Sequence, residues 1–324
     1  MAQDIVLLFP GQGSQYVKMG QDLYEEFSVA REVFEEVDDA LEMKLTDVIF
    51  GDDIELLTTT YNAQPAIMAV SMAVVRILQK EMKKKFYSRI KVVAGHSLGE
   101  YSALCAANGL SIRNTAKLLF ERGKIMYDAA ASSAGGMFAL LGCYDIAAIK
   151  EMIASVKKCC EDDSICEVAN DNGAGQVILS CTGDALVKLP VFALERGIRK
   201  VIKLNVNMPF HSSIMKEAAS CFTKYLNVID IKDTDIPIVT NYDAKAHVVA
   251  REIKEVIALQ MNNLVRWKES IEYILQSCNP HCFVEVGPKR VLSDLATRML
   301  PDEANIKVFS TSTLEEISDF LNIT

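Results

Sequence analysis

Gly95-His96-Ser97-Leu98-Gly99 sets a serine between two glycines in a G-x-S-x-G pattern. The chemistry this spacing allows is nucleophilic. A serine on a sharp strand-to-helix turn projects its hydroxyl out of the sheet, beside free helix N-terminal N–H groups that stabilise an oxyanion. The glycines leave room for the turn. The flanks supply the two elements. Ile90-Lys91-Val92-Val93-Ala94 reads as a short buried strand, and Glu100 to Ala107 as a helix-favouring run closed by Asn108-Gly109. A chance occurrence is the competing reading; the order strand, serine, helix favours a nucleophile.

A serine needs a base, and the chain has four histidines. His96 adjoins Ser97 and points away from the hydroxyl. His247 and His281 lie in polar, loop-like stretches. His211 follows Pro209-Phe210 and precedes Ser212-Ser213, which can cap a helix over Ile214–Leu226. A helix N-terminus disfavours the imidazolium, so His211 there would stay neutral and able to accept a proton. A histidine that merely caps the helix fits these residues equally well. No Asp or Glu can be assigned as a third triad member: a candidate such as Asp184 falls in a different part of the chain. A backbone carbonyl could orient the imidazole instead.

Arg122 lies on a helix expected over Ser111–Asp128, with Leu118, Leu119, Ile125 and Met126 at i−4, i−3, i+3 and i+4. All four are apolar, so its guanidinium sits on the buried stripe and needs an anion. Either an internal carboxylate such as Glu100 or a substrate carboxylate held bidentately would serve. Gly11-Gln12-Gly13-Ser14-Gln15 lacks the spacing and the lysine of a phosphate loop. A polar loop after a first strand can lend an N–H to an oxyanion hole.

The elements that carry these residues alternate. Ile5–Phe9 is a strand, and helices follow around Leu23–Val37, Pro65–Lys80 and Ser111–Asp128, with Pro65 suited to the first helical position. That order predicts a parallel sheet covered by helices. The pattern changes after the small residues Ala129 to Gly136. Strands Met137–Leu141, Ile165–Asn170, Gln176–Ser180 and Lys200–Leu204, with helices Ile146–Val156 and Ala185–Arg196, give the ferredoxin-like order β-α-β-β-α-β. A strand Ile236–Asn241, a helix Arg251–Gln260 and a strand Cys282–Val286 then finish the first unit. The fold class is therefore α/β, a hydrolase-like parallel-sheet core formed by 1–130 and 205–324 with a ferredoxin-like subdomain, 131–204, inserted.

Composition bounds the function. The 43 acidic and 34 basic residues leave a net charge of −9, which argues against nucleic acid or an anionic membrane as a partner. The longest largely apolar stretch, Ala66 to Leu78, is thirteen residues, short of the ~20 a membrane span needs. Ile5 to Phe9 is too short for a signal peptide. The nine cysteines form no C-x-x-C pair, and no histidine lies near Cys159-Cys160 and Cys166, so no zinc site is expected. Scattered thiols in odd number suit a reducing cytoplasm.

Taken together, the motifs resemble the malonyl-CoA:acyl-carrier-protein transacylases of bacterial type II fatty acid synthesis. The resemblance runs from Phe9 to about Leu295. It rests on Phe9-Pro10-Gly11-Gln12-Gly13-Ser14-Gln15, Gly95 to Leu104, Arg122-Gly123-Lys124, Pro209-Phe210-His211-Ser212-Ser213, Gln260 with Asn263-Leu264-Val265-Arg266-Trp267, and Val284-Glu285-Val286-Gly287-Pro288. It implies Ser97 as nucleophile and His211 as base. It implies the N–H groups of Gln12 and Leu98 as the oxyanion hole. Arg122 would bind the malonyl carboxylate beside Phe210, and the main-chain carbonyl of Gln260 would orient His211. Helix C-terminal carbonyls lack intrahelical partners, so that role is physically open to Gln260. Two departures stand out: Cys181-Thr182-Gly183 replaces a simpler Ser-Gly turn, and Met208 could narrow the pocket beside His211.

The implied reaction is ping-pong transfer of malonyl from malonyl-CoA to acyl carrier protein, with no metal or redox cofactor, by a protein expected to be a monomer. A stand-alone acyltransferase serving a polyketide synthase shares all these motifs. A serine hydrolase of acyl thioesters is disfavoured by Arg122 and the missing acid, and a silent carrier-binding module by the intact Ser97, His211 and Arg122. An acidic carrier protein would need a local basic patch on this acidic chain. Arg196, Arg199, Lys200 and Lys203 form one candidate and Lys289-Arg290 another, whereas Lys83-Lys84-Lys85 reads as a solvated helix terminus at the opposite edge of the sheet.

Overall fold

The computed structural model of the chain describes residues 4–131, 135–142, 145–161, 163–301, 303 and 305–323. Its strands are β1 (Ile5–Phe9), β2 (Ile90–Gly95), β3 (Gly135–Leu141), β4 (Cys166–Gly173), β5 (Gln176–Thr182), β6 (Lys200–Lys203), β7 (Ile238–Val239), β8 (Ala246–His247), β9 (Cys282–Glu285) and β10 (Lys307–Ser310). Six form one sheet in the order β10-β9-β1-β2-β7-β8, parallel except for β8, which runs antiparallel to β7. All five residues of β1 are buried, as a central strand with both faces covered requires. Ile5, Leu7 and Phe9 point to the face packed by helices Thr60–Met82 and Ile112–Ala131. Val6 and Leu8 point to the opposite face, covered by Trp267, Ile271 and Leu295 from helices Trp267–Cys278 and Val291–Met299.

The other four strands form an antiparallel sheet in the order β4-β5-β3-β6, the ferredoxin-like arrangement. Helices Ile146–Lys158 and Ala185–Glu195 cover one face with Ile149, Met152 and Leu189. Met137, Ala139 and Ile178 on the other face join the large core. The sheets are also tied through backbone: Val265 N–H donates to Ala169 and Asp171 N–H to Val265, at 2.9 and 3.0 Å. Of the expected opening stretch Ala129 to Gly136, residues 132–134 lie outside the described residues.

Some local expectations need correction. The helix expected to begin at Pro65 begins at Thr60, with Pro65 inside it. The turn before Pro65 is pinned from outside: Asn62 Nδ2 donates to the Leu56 carbonyl, and the Gln64 side chain is held by Arg122. Tertiary bonds thus outweigh the local preference against helix before proline. The single helix expected over Leu23–Val37 is two, Gln21–Glu26 and Ser28–Leu41, separated by an extended Phe27. The large unit does not finish at Val286. It adds Val291–Met299, β10 and Leu314–Ile323, because a four-residue edge strand carries too short a pattern to read alone.

Register decides where the site lies. Phe9 pairs with Gly95, Ala94 with Val239, and Glu285 with both Leu8 and Ser310. The carboxyl ends of five parallel strands therefore share one edge, and the loops that follow them converge there, where open α/β sheets bind ligands.

Candidate active site

Ser97 stands at that edge with φ +52°, a left-handed conformation costly for a residue with a side chain, at about 1–3 kcal/mol. The surroundings hold it there. A Cβ on Gly95 would lie 2.0 Å from the Gly99 carbonyl group, and one on Gly99 would lie 2.1 Å from the Phe9 carbonyl oxygen. Both positions therefore have to be glycine for the strand, the elbow and β1 to touch. Asn241 clamps the turn. Its Oδ1 accepts from Ser97 N–H at 2.7 Å, and its Nδ2 donates to the Gly95 carbonyl at 2.7 Å.

His211 Nε2 is 2.8 Å from Ser97 Oγ, and His211 Nδ1 is 3.0 Å from the Gln260 carbonyl oxygen. A carbonyl only accepts, so Nδ1 carries the hydrogen and Nε2 presents its lone pair to the serine hydroxyl. Gln260 is the last residue of helix Ala250–Gln260, where its carbonyl is free of the helix ladder. Burial, and after it the charge of Arg122, pushes the His211 imidazole down to about 3, so it is neutral at ordinary pH. The neutral state was expected, but the expected cause differs. Ser212 and Ser213 do not cap a helix: their hydroxyls donate to Pro209 O and to Glu167, and a 3₁₀ turn, Ser213–Met215, precedes helix Lys216–Val228. Among the other histidines, His96 faces Asn172 Oδ1 at 2.8 Å, His247 pairs with Asp243, and the exposed His281 accepts from Asp4 N–H. Asp184 pairs with Lys188 and takes no part in orienting His211.

Arg122 is 1% exposed. It does not pair with Glu100. Nη1 donates to Gln64 Oε1 at 2.7 Å, and Nη2 donates to Gln260 Oε1 at 2.9 Å and to Ser97 Oγ at 3.1 Å. The guanidinium also lies 5.4 Å from the centre of the Tyr101 ring. All the hydrogen-bond partners are neutral, and Nε has none among the described residues. A buried cation so placed is a site waiting for an anion. The serine oxygen beside it accepts from Arg122 while donating to His211, which favours loss of its proton.

Opposite Ser97, the loop after β1 folds on itself: Ser14 Oγ donates to the Gly11 carbonyl and Gly13 N–H to Gln15 Oε1. Gln12 N–H and Leu98 N–H have no acceptor among the described residues, and both residues line one cavity with Ser97, Arg122 and His211. That cavity measures about 610 Å³ and runs between the two sheets, from Phe210, Met126 and Met137 out to Lys289 and Asn205. Two N–H donors, a serine, a neutral imidazole and a cation around one space suit acyl transfer from a substrate bearing a negative charge. Met208 is buried but does not line the cavity, so it does not narrow it. No group of three or more metal-binding side chains occurs among the described residues.

The acyl transferase domain family matches residues 6–312. The chain belongs to that family. The domain is 39% identical over 311 residues to the malonyl CoA-acyl carrier protein transacylase of Bacillus subtilis (strain 168), covering 96% of this chain and 95% of that protein. It is 34% identical over 316 residues to the protein of the same name from Haemophilus influenzae, covering 97% and 98%. Among solved structures, the acyl-carrier-protein-S-malonyltransferase of Bartonella henselae superposes with TM-score 0.92 at 39% identity, over 99% of each chain. A malonyl-transacylase in complex with a type II PKS acyl-carrier protein superposes with TM-score 0.91 at 30% identity, over 99% and 100%. The domain is thus an acyltransferase with an α/β hydrolase-like core and a ferredoxin-like insert.

Sequence reasoning missed four side chains of the acyltransferase's site. Asn241 reads from sequence only as a strand end and Tyr101 only as part of a helix, and Gln64 carries no expectation of its own. Gln260 was named for its carbonyl, not for its amide. Gln64 had a usable signal, a polar residue with Tyr61, Ile67 and Met68 as its helical neighbours at i−3, i+3 and i+4. Asn241 had none.

Proposed function

We propose that the chain transfers the malonyl group of malonyl-CoA to the phosphopantetheine thiol of an acyl carrier protein, through an ester on Ser97. The observation that carries this reading is the buried Arg122 guanidinium, bonded only to neutral groups and 3.1 Å from Ser97 Oγ. A malonyl ester on that oxygen bears its free carboxylate two carbons beyond the carbonyl carbon, within the same small space. In the first half-reaction Ser97 Oγ gives its proton to His211 Nε2 and attacks the thioester carbonyl. The oxyanion is met by the N–H groups of Gln12 and Leu98. The C–S bond breaks, and CoA leaves as a thiol with the proton from His211. In the second, the carrier thiol gives its proton to His211, its sulfur attacks the ester, and Ser97 recovers the proton. Gln260 O holds the imidazole through both steps, Arg122 holds the carboxylate, and Phe210 lines the acyl end of the cavity.

The chemistry calls for neither metal nor redox cofactor. We further infer a monomeric cytoplasmic enzyme of fatty acid synthesis, with 1–130 and 205–324 as one unit and 131–204 as the other. A second reading, service to a polyketide synthase, is favoured by the matched structure whose partner is a type II PKS acyl-carrier protein. Intact-mass measurement tests the proposal. Malonyl-CoA alone should add one malonyl group, which Ser97→Ala abolishes and added carrier protein removes. A malonyl adduct that persists on the Ser97→Ala protein would overturn the assignment.

A further inference from the structure

The described site leaves one buried group unused. Glu100 stands in the first turn of helix Gly99–Ala106 and is fully buried, with no cation among its hydrogen-bond partners. Its Oε2 accepts from Gln260 Nε2 at 2.5 Å and from Asn241 N–H at 3.2 Å. Its Oε1 has no partner among the described residues. A buried carboxyl so placed needs a reason.

The reason lies in the Gln260 amide. Its Oε1 accepts from Arg122 Nη2 at 2.9 Å, and its Nε2 donates to the Ser97 carbonyl at 2.8 Å as well as to Glu100. An amide can occupy this space in two orientations related by a half turn. Only one aims oxygen at the guanidinium and hydrogens at the two acceptors. The other brings an NH₂ against a guanidinium, donor against donor. We propose that Glu100 is a positioning residue, which by accepting from Gln260 Nε2 locks that amide and so holds Arg122 toward Ser97 for the substrate carboxylate. The lock needs an acceptor, not a charge. Burial pushes the Glu100 carboxyl up to about 7, and the unpartnered Oε1 can carry a proton while Oε2 keeps both bonds. A neutral Glu100 would also leave Arg122 free to pair with the substrate.

This inference rests on the proposed malonyl transfer, and its test separates the two. Single-turnover loading from malonyl-CoA and from acetyl-CoA is measured on the wild type, Glu100→Gln and Glu100→Asp. Acetyl has no carboxylate for Arg122 to hold, so the malonyl-to-acetyl ratio cancels the effect of Arg122 on the Ser97 hydroxyl and reports on its hold of the carboxylate. A disturbance passed through Asn241 to Ser97 slows both acyl groups alike and leaves the ratio unchanged. Glu100→Gln keeps an acceptor at the position of Oε2 and should hold the wild-type ratio within about threefold. Glu100→Asp keeps the carboxyl but withdraws the acceptor by one methylene, and should lower the ratio at least tenfold. Gln260→Met, which removes the amide and keeps the carbonyl, should lower it as far. Wild-type ratios in Glu100→Asp, a parallel loss for both acyl groups, or loss in Glu100→Gln with retention in Glu100→Asp would each overturn the lock. Failure of the wild type to load malonyl would overturn the transfer reading instead.

Discussion

Replacing Arg122 by alanine separates its two possible jobs. In the structure the guanidinium is held by two side-chain amides and the serine hydroxyl, with no carboxylate in direct contact among the described residues. Truncating one partner of a desolvated, hydrogen-bonded charge pair costs roughly 2–5 kcal/mol. At about 1.4 kcal/mol per factor of ten, malonyl loading should fall by about 30-fold to several thousand-fold in kcat/KM. Uncharged acyl groups lose only the Arg122 hydrogen bond to Ser97 Oγ. Against that loss, Arg122 helps push His211 down, and its removal lets the imidazole become more basic, so their loading should be kept or raised. Folding should survive. A buried cation with only neutral partners is itself a cost, and the vacated space opens on the cavity, from which water can enter to bond the Gln64 and Gln260 side chains. Rapid-quench loading from malonyl-CoA and acetyl-CoA, with a thermal melt of the same samples, measures all three quantities. A folded variant that keeps its malonyl preference within threefold refutes the carboxylate role. A variant that unfolds returns Arg122 to a purely structural function.

The remaining expectations are briefer. His211 has its folded value lowered from 6.5 to about 3, so Ser97 loading should be flat between about pH 5 and 8, with no acid limb near pH 6.5. By linkage, the unfolded chain protonates His211 below about 6.5 while the folded one resists until about 3. His211 therefore costs stability as pH falls through that window, and His211→Gln should flatten the drop in Tm. Asn241→Ala removes both bonds that hold the elbow. It should slow malonyl and acetyl loading together and lower stability by about 1–3 kcal/mol in urea unfolding, whereas unchanged loading would show that Ser97 needs no clamp. Charge reversal at the exposed Arg199 and Lys200, on and beside the edge strand β6, should slow transfer to carrier protein and spare loading. The penalty should shrink as salt rises, and equal slowing of both half-reactions would remove this patch from docking.

The elbow, its two glycines and the alternating elements were legible because each is a local pattern. Arg122 was legible as a burial anomaly on one helix. What stayed hidden closes over distance. The bonds from Gln64 to Arg122, Asn241 to Ser97 and Gln260 to Glu100 join residues 58, 144 and 160 positions apart. No window along the chain contains them. They also explain why no triad acid could be found. A carboxylate in place of the Gln260 carbonyl would sit buried within reach of Arg122 and would claim that cation for itself. The neutral carbonyl orients His211 just as well, at 3.0 Å, and leaves the positive charge unspent. Glu100 is kept behind the Gln260 amide for the same reason. A serine hydrolase of neutral esters has no such constraint, since nothing in its substrate needs a bare guanidinium beside the nucleophile. On the proposed malonyl transfer, the lack of a triad acid and of a carboxylate on Arg122 among the described residues are one feature: a dipole steers the imidazole and the charge remains for the acyl group.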